Sequence, residues 1–225
     1  MKTILVSLTV LLLAVGSHAA DLAFPRRLVD HLVSQTENLR PEILRLAFMA
    51  YAEGLEDGHF TLDRLTIIDY SLPSYEERLW VIDMETAIVL FEEIVAHGMG
   101  SPRGSGGDME AAKGFSNLHG SKKSSLGLFV TAETYQGQHG YTLRLDGLEE
   151  GINDNARERL IVVHSANYVT DDRADDHLVG RSWGCPVVRP EISKELIDAI
   201  KGGSALWIYY PDEDWLEESE FLEEE

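Results

Sequence analysis

Apolar residues follow a helical period first and a strand period later. Leu28, Leu32 and Leu39, flanked by Val29 and Val33, predict a helix over 27–39. Pro41 suits a first helical turn, where its missing N–H costs nothing, and Ile43, Leu44, Leu46, Ala47, Met49, Ala50 and Leu55 continue at helical spacing. Gly54 and Gly58 supply stops, so 21–58 reads as two short helices packed as a hairpin. From Phe60 the pattern shortens and becomes β-branched. Strands are expected at 65–70, at 78–83 and 87–91 as a hairpin extended towards 94–96, and at 126–131, 141–145, 160–164 and 206–210. A Gly-, Ser- and Pro-rich loop covers 99–107, and one clear helix covers 191–201. Helices and strands do not alternate regularly, and no internal repeat is visible. The expected fold is mainly β within the α+β class: a largely antiparallel β-sandwich or open barrel with one packed helix and an N-terminal helical annex.

The chain ends change this picture. Lys2, the apolar run Ile4–Val15 and Ser17-His18-Ala19 have the layout of a secretory signal peptide over 1–19. The run falls short of the about 20 residues needed to span a bilayer, and no later stretch reaches that length. The organisation expected is a leader at 1–19, the annex at 20–59, the main domain at 60–211 and an acidic tail at 212–225. Net charge is −20, with 39 acidic against 19 basic residues, which disfavours nucleic acid and anionic lipid as partners. Much of the excess lies in the tail, which reads as a solvated, partly disordered end.

Cys185 is the only cysteine. It has no partner for an internal disulfide, leaving a buried filler, an intermolecular crosslink or a reactive thiol. Its setting, Arg181-Ser182-Trp183-Gly184-Cys185-Pro186, favours the reactive thiol. Gly184 permits a tight turn and close approach of a substrate, and Pro186 stiffens the backbone just after the thiol. The N–H groups of Gly184 and Cys185 could converge on one oxyanion. A thiol needs a base, and there are eight histidines. His97, His119 and His139 each precede a glycine and read as turns, and His177 lies beside an acidic run as a surface residue. His164 ends the apolar strand Leu160–Val163, rigid behind and open ahead. It reads equally as a base or as a core histidine bonded to backbone.

Ser182-Trp183-Gly184-Cys185-Pro186, preceded by Ile161-Val162-Val163-His164-Ser165, resembles the cysteine and histidine blocks of the L,D-transpeptidase (YkuD-like) family, in its murein L,D-transpeptidase catalytic-domain branch. The runs 69–74 (DYSLPS), 115–129 (FSNLHGSKKSSLGLF) and 139–149 (HGYTLRLDGLE) fit the same branch. The resemblance implies cysteine-dependent acyl transfer on peptidoglycan stem peptides, with no cofactor, in a Gram-negative periplasm. Cys185 would be the nucleophile and His164 the base. The carbonyl of Ser165 or a near neighbour would orient the imidazole, and Gly184 and Cys185 would supply the oxyanion donors. Trp183, Arg181, Arg189, Ser125 and His119 would face the substrate, and Ser182 would either support the turn from behind or donate to the substrate. Two departures stand out: Trp183 occupies a position that is histidine in better-known members, and Val187 stands where Arg or Asn is usual. The arginine role then falls to Arg189 or Arg181.

Alternatives remain at this level: an L,D-carboxypeptidase using water, or a non-catalytic wall-binding scaffold. Ser124, Ser125 and Gly127 read equally as cleft lining or as a β-turn. The 171–176 run reads as a surface loop, or as a segment over the cleft that influences the choice of acceptor. Asp146, Asn153, Asp154 and Asn155 match no metal-loop spacing, so no metal is expected. P-loop, dinucleotide and H-E-x-x-H motifs are absent, and no pattern indicates an oligomeric state.

Overall fold

The structure, a computed structural model, describes residues 26–100, 110–179 and 181–223. The leader and most of the Gly-rich loop expected at 99–107 lie outside the described residues. The elements are α1 (Arg26–Val33), α2 (Pro41–Glu56), β1 (Arg64–Asp69), β2 (Glu77–Asp83), β3 (Ile88–Ile94), β4 (Gly127–Gly137), β5 (Gly140–Gly147), β6 (Val162–Ser165), α3 (Asp171–Asp175), β7 (Val187–Val188), α4 (Pro190–Ile200), β8 (Ala205–Tyr209) and α5 (Glu213–Glu218). The strands form one sheet in the order β3-β2-β1-β8-β4-β5-β6-β7. Two pairs are parallel, β1 with β8 and β6 with β7, and the others are antiparallel. Isolated bridges Ala96↔Val187 and Gly98↔Ser182 join the chain just beyond β3 to the β7 side, so the sheet curls into a nearly closed barrel.

β1 and β8 are the central staves. Leu65, Ile67, Ile68, Leu206, Trp207 and Ile208 are buried, and near-continuous apolar runs are what strands covered on both faces require. α2 packs on these staves through Ile43, Leu44, Ala47, Phe48 and Tyr51. At Gly54 an added Cβ would lie 2.7 Å from the Phe60 ring, so this glycine serves close packing inside the helix rather than ending it.

α1 stops at Val33, short of the expected Leu39. The Gln35 side chain instead completes the ladder of β3: Nε2 donates to the Ala87 carbonyl at 3.0 Å, and Oε1 accepts from Val89 N–H at 3.0 Å. The annex therefore covers a sheet edge that would otherwise present unpaired backbone groups. Two further differences follow from tertiary context. β4 and β5 form a hairpin longer than their apolar runs suggest, turning through Gln138 and His139. The acidic run read as a loop contains the short helix α3, capped by the Thr170 hydroxyl. No helix of the described residues is long and apolar enough to cross a membrane.

The tail needs correction. α5 is N-capped by Asp212, and Trp215, Ser219 and Phe221 are buried. Trp215 Nε1 donates to Glu149 Oε2 at 3.0 Å, and Glu149 Oε1 accepts from Leu128 N–H at 2.5 Å. The aromatic residues dock the segment, whereas its average composition reads as solvated. Trp215→Ala is therefore expected to cost about 3 kcal/mol. Urea unfolding checks this, because a free tail would leave the midpoint unchanged.

Candidate active site

Parallel pairing of β6 with β7 sets His164 opposite Val187 and Ser165 opposite Val188. The His164 N–H donates to the Pro186 carbonyl at 3.4 Å. The end of one strand and the turn entering the other thus bring His164 and the Cys185 turn side by side, although a long loop separates them in sequence. Cys185 is partly exposed and packs on a small apolar cluster with Ile94, Ala96, Val169, Val179 and Val187.

The turn is held from within and from below. Ser182 Oγ donates to the Cys185 carbonyl at 2.7 Å and accepts from Gly184 N–H at 3.0 Å. Ser124 Oγ donates to the Gly184 carbonyl at 3.0 Å and accepts from Gly98 N–H at 3.0 Å. Gly184 has φ 126°, and a Cβ there would sit 2.6 Å from the Lys123 carbonyl oxygen. Glycine is required because the backbone beneath comes so close. These bonds bear on two expectations. The Gly184 N–H is already bonded to Ser182, so it is not a waiting oxyanion donor. The Ser182 hydroxyl shapes the turn, the supporting one of the two roles open to it. Among the described residues, none accepts a hydrogen bond from Cys185 N–H.

A seam supports the turn. Ser182 N–H donates to the His97 carbonyl at 2.8 Å, and Met99 N–H donates to the Ser182 carbonyl at 3.1 Å. Beneath the seam lies Arg78, fully buried. It donates to the Val95 carbonyl at 2.6 Å, the Leu72 carbonyl at 2.7 Å and His97 Nδ1 at 2.9 Å, with its guanidinium 4.9 Å from the Tyr70 ring centre. Burial brings Arg78 down to about 10 and, with the Arg78 charge, brings His97 down to about 3. His97 is therefore a buried neutral acceptor, where its His-Gly pair reads as a turn.

His164 is buried, and its Nδ1 donates to the Ser165 carbonyl at 2.9 Å, leaving Nε2 to accept a proton. Burial lowers its pKa, the Ser165 carbonyl raises it, and His139 lowers it further. His139, at the tip of the β4–β5 hairpin, stacks on His164 with ring centres 4.3 Å apart. No local pattern in the sequence foretells that contact. Burial raises the Cys185 thiol, while the Val162 N–H and the Arg159 charge lower it. Cys185 Sγ donates to the Leu160 carbonyl at 3.5 Å, and Leu160 adopts φ 58°, unusual for a branched side chain.

The remaining expected residues separate. Arg189 is bound to Glu93, with Nε at 2.9 Å, and to Asp171 at 2.5 Å, so it ties α3 to β3 rather than contacting substrate. Ser125 is buried, donates to the Ser116 carbonyl at 3.2 Å and accepts from Arg159. Arg181 donates to the Met99 carbonyl at 3.2 Å. His119 lies in an exposed turn. Trp183 is 68% exposed, with Lys122 Nζ 4.2 Å from its ring centre. Arg159, half-buried near the thiol, carried no sequence motif. Among the described residues no group of three or more His, Cys, Asp or Glu side chains could hold a metal ion.

A family model described as the L,D-transpeptidase catalytic domain matches residues 35–209. No curated protein matches the chain. Among solved structures, the chain is similar to an L,D-transpeptidase from Mycobacterium smegmatis, at 13% identity and TM-score 0.39 over 66% of this chain and 59% of that one. It is also similar to Bd1075 of Bdellovibrio bacteriovorus, at 18% identity and TM-score 0.40 over 67% of this chain and 48% of that one. A third likeness is to an L,D-transpeptidase from Xylanimonas cellulosilytica, at 15% identity and TM-score 0.37 over 81% and 91%. The chain spans less than two thirds of the first two proteins, and likenesses this distant do not bear on activity.

His97 gives the seam a pH signature. Its folded pKa lies near 3, below the ordinary 6.5, so the unfolded chain binds the extra proton between those values. The stability from neutral His97 is complete above pH 6.5 and is lost as pH falls towards 3. Urea unfolding at successive pH values should show this loss, at up to about 1.4 kcal/mol per pH unit from this group. His97→Gln should flatten the slope; an unchanged slope would place the titration elsewhere.

Proposed function

The chain belongs to the L,D-transpeptidase catalytic-domain family, and on that premise we propose that it is a cysteine acyltransferase acting on peptidoglycan stem peptides. The observation that carries this reading is the lone thiol in a glycine-locked turn beside a neutral imidazole whose Nδ1 is fixed on Ser165. This arrangement has the parts that thiol acyl transfer needs: nucleophile, base and orienting group.

In the first half-reaction, His164 Nε2 takes the thiol proton as sulfur attacks the carbonyl joining the third and fourth stem residues. A C–S bond forms, the C–N bond to the terminal D-alanine breaks, and His164 gives its proton to the leaving amine. In the second, a side-chain amine from another stem attacks the thioester. The new C–N bond makes a 3→3 crosslink as the C–S bond breaks, with His164 taking the amine's proton and returning it to the sulfur; a free D-amino acid would give exchange instead. The raised thiol and lowered imidazole both favour the neutral pair in the free protein, so proton transfer belongs to the attack itself. With Gly184 N–H engaged, the Cys185 N–H at the nucleophile itself is the donor we assign to the developing oxyanion. Trp183 and Lys122 form an exposed platform two residues before the thiol, suited to covering the bound peptide. Such a substrate is met in the periplasm, which agrees with the expected leader.

Protein from Ala20 onward, incubated with tetrapeptide-stem muropeptides, is expected to yield 3→3 dimers by mass spectrometry. Cys185→Ala should reduce them at least about 10³-fold. Tripeptide plus free D-alanine without dimers would instead identify a carboxypeptidase. Unchanged muropeptides with both proteins would favour a scaffold.

A further inference from the structure

Arg159, like Arg78 and Arg181, has no carboxylate partner among the described residues, but it is the one whose charge acts on the thiol. Acidic residues outnumber basic ones 39 to 19 in this chain, and arginines readily find carboxylates: Arg157 binds Asp146 and Glu133, Arg40 binds Asp69, Arg64 binds Asp83, and Arg189 binds Glu93 and Asp171. Arg159 is half-buried, yet no carboxylate of the described residues pairs with it. Its Nη1 donates to the Ser116 carbonyl at 2.5 Å and to Ser125 Oγ; its Nη2 donates to the Lys123 carbonyl at 2.7 Å and to Ser121 Oγ at 3.2 Å. All four acceptors are neutral and lie on one strap, 116–125.

That strap is the floor of the cysteine turn. The Lys123 carbonyl held by Arg159 is the same oxygen that excludes a Cβ at Gly184, and the next residue, Ser124, bonds the Gly184 carbonyl. On the other side, Arg159 precedes Leu160, whose carbonyl accepts from Cys185 Sγ. The guanidinium thus joins both walls around the sulfur, and its hydrogen bonds leave its positive charge unneutralised there.

We propose that Arg159 is the positioning residue for Cys185: it clamps the 116–125 strap under the turn and supplies the fixed positive charge beside the sulfur. The proposal rests on the acyl-transfer reading only for its consequence in turnover; the thiol chemistry stands by itself. A half-buried cation favours a nearby thiolate and offsets part of the cost of burying that anion. Electrostatic coupling runs both ways, since burial lowers the Arg159 pKa while Cys185 raises it. The other titratable or charged groups around the thiol are His164 on β6, His139 on the hairpin tip, Tyr168 and Tyr70, Lys122 and Lys123 on the strap, and Arg181 before the turn. Tyr70 and Tyr168, both pushed up to about 12, remain neutral through the range in which the thiol titrates.

The full chain has a single cysteine, so iodoacetamide alkylation followed by intact mass reports Cys185 alone. The rate against pH is expected to have its midpoint raised by about one pH unit in Arg159→Gln, with alkylation at pH 7 slowed about tenfold. Arg159→Lys should keep the midpoint near wild type while slowing alkylation at high pH, because the charge survives and the fork does not. Arg157→Gln, which removes an equal charge from an exposed network two residues earlier, should change neither. An unmoved midpoint in a folded Arg159→Gln, or an equal shift in Arg157→Gln, overturns the proposal. Should Arg159→Gln fail to fold, Arg159→Lys decides: wild-type rates at every pH overturn it, and the expected split between rate and midpoint supports it. No peptidoglycan enters this assay, so its outcome does not depend on the substrate being the right one.

Discussion

The seam that closes the sheet governs the site. Ala96 pairs with Val187, with N–H to carbonyl distances of 2.9 and 3.4 Å, and Ser182 N–H reaches the His97 carbonyl. Without those bonds β7 would be a two-residue fragment joined to β6 alone. With them, the cysteine turn is anchored at both ends to a barrel wall. The turn's internal bonds then fix the only conformations left open, through Ser182 on one side and the Ser124–Gly184 contact on the other.

The seam depends on a buried cation. Arg78 makes no ion pair among the described residues; it is bonded to the Val95 and Leu72 carbonyls and to a neutral His97, lies against the Tyr70 face, and feels the buried Asp69 carboxylate at longer range. Burying a guanidinium this way is costly, and removing any acceptor would expose much of that cost. Arg159 on the opposite side repeats the same chemistry, cation to neutral acceptors, around the 116–125 strap. Of these two arginines, Arg159 acts directly on the thiol, while Arg78 holds the seam that anchors the turn.

The periodic parts of the fold were legible in the sequence. Every strand expected from β-branched runs exists, and α2 and α4 lie within a residue or two of their predicted bounds. Single-residue punctuation, Pro41, Pro190 and Gly184, carried much of that information. β7 was not legible, because two residues have no period and owe their pairing to Ala96 and His164. α5 was hidden by composition, since Trp215 and Phe221 act individually while the acidic average dominates a window. Local motif reading singled out Cys185 and His164 as a pair, and the parallel register brings their chain segments together. It missed His139, His97 and Arg159, whose places are set by a hairpin tip, a seam and a strap distant in sequence. It set Arg189 and Ser125 towards the substrate, where the structure bonds them to carboxylates and to a carbonyl, because a polar side chain near a motif has the same appearance whether it faces solvent or a buried partner.

If the turn presents Cys185 as an acyl acceptor with His164 as its proton carrier, turnover passes through a covalent state. Intact-protein mass spectrometry during incubation with a tetrapeptide-stem donor, followed by peptide mapping, reads that state. A transient adduct, equal in mass to the donor minus D-alanine, is expected on the peptide containing Cys185. His164→Gln should greatly slow its formation. Turnover of donor with no adduct at Cys185, or an adduct formed at the same rate without His164, would contradict this mechanism.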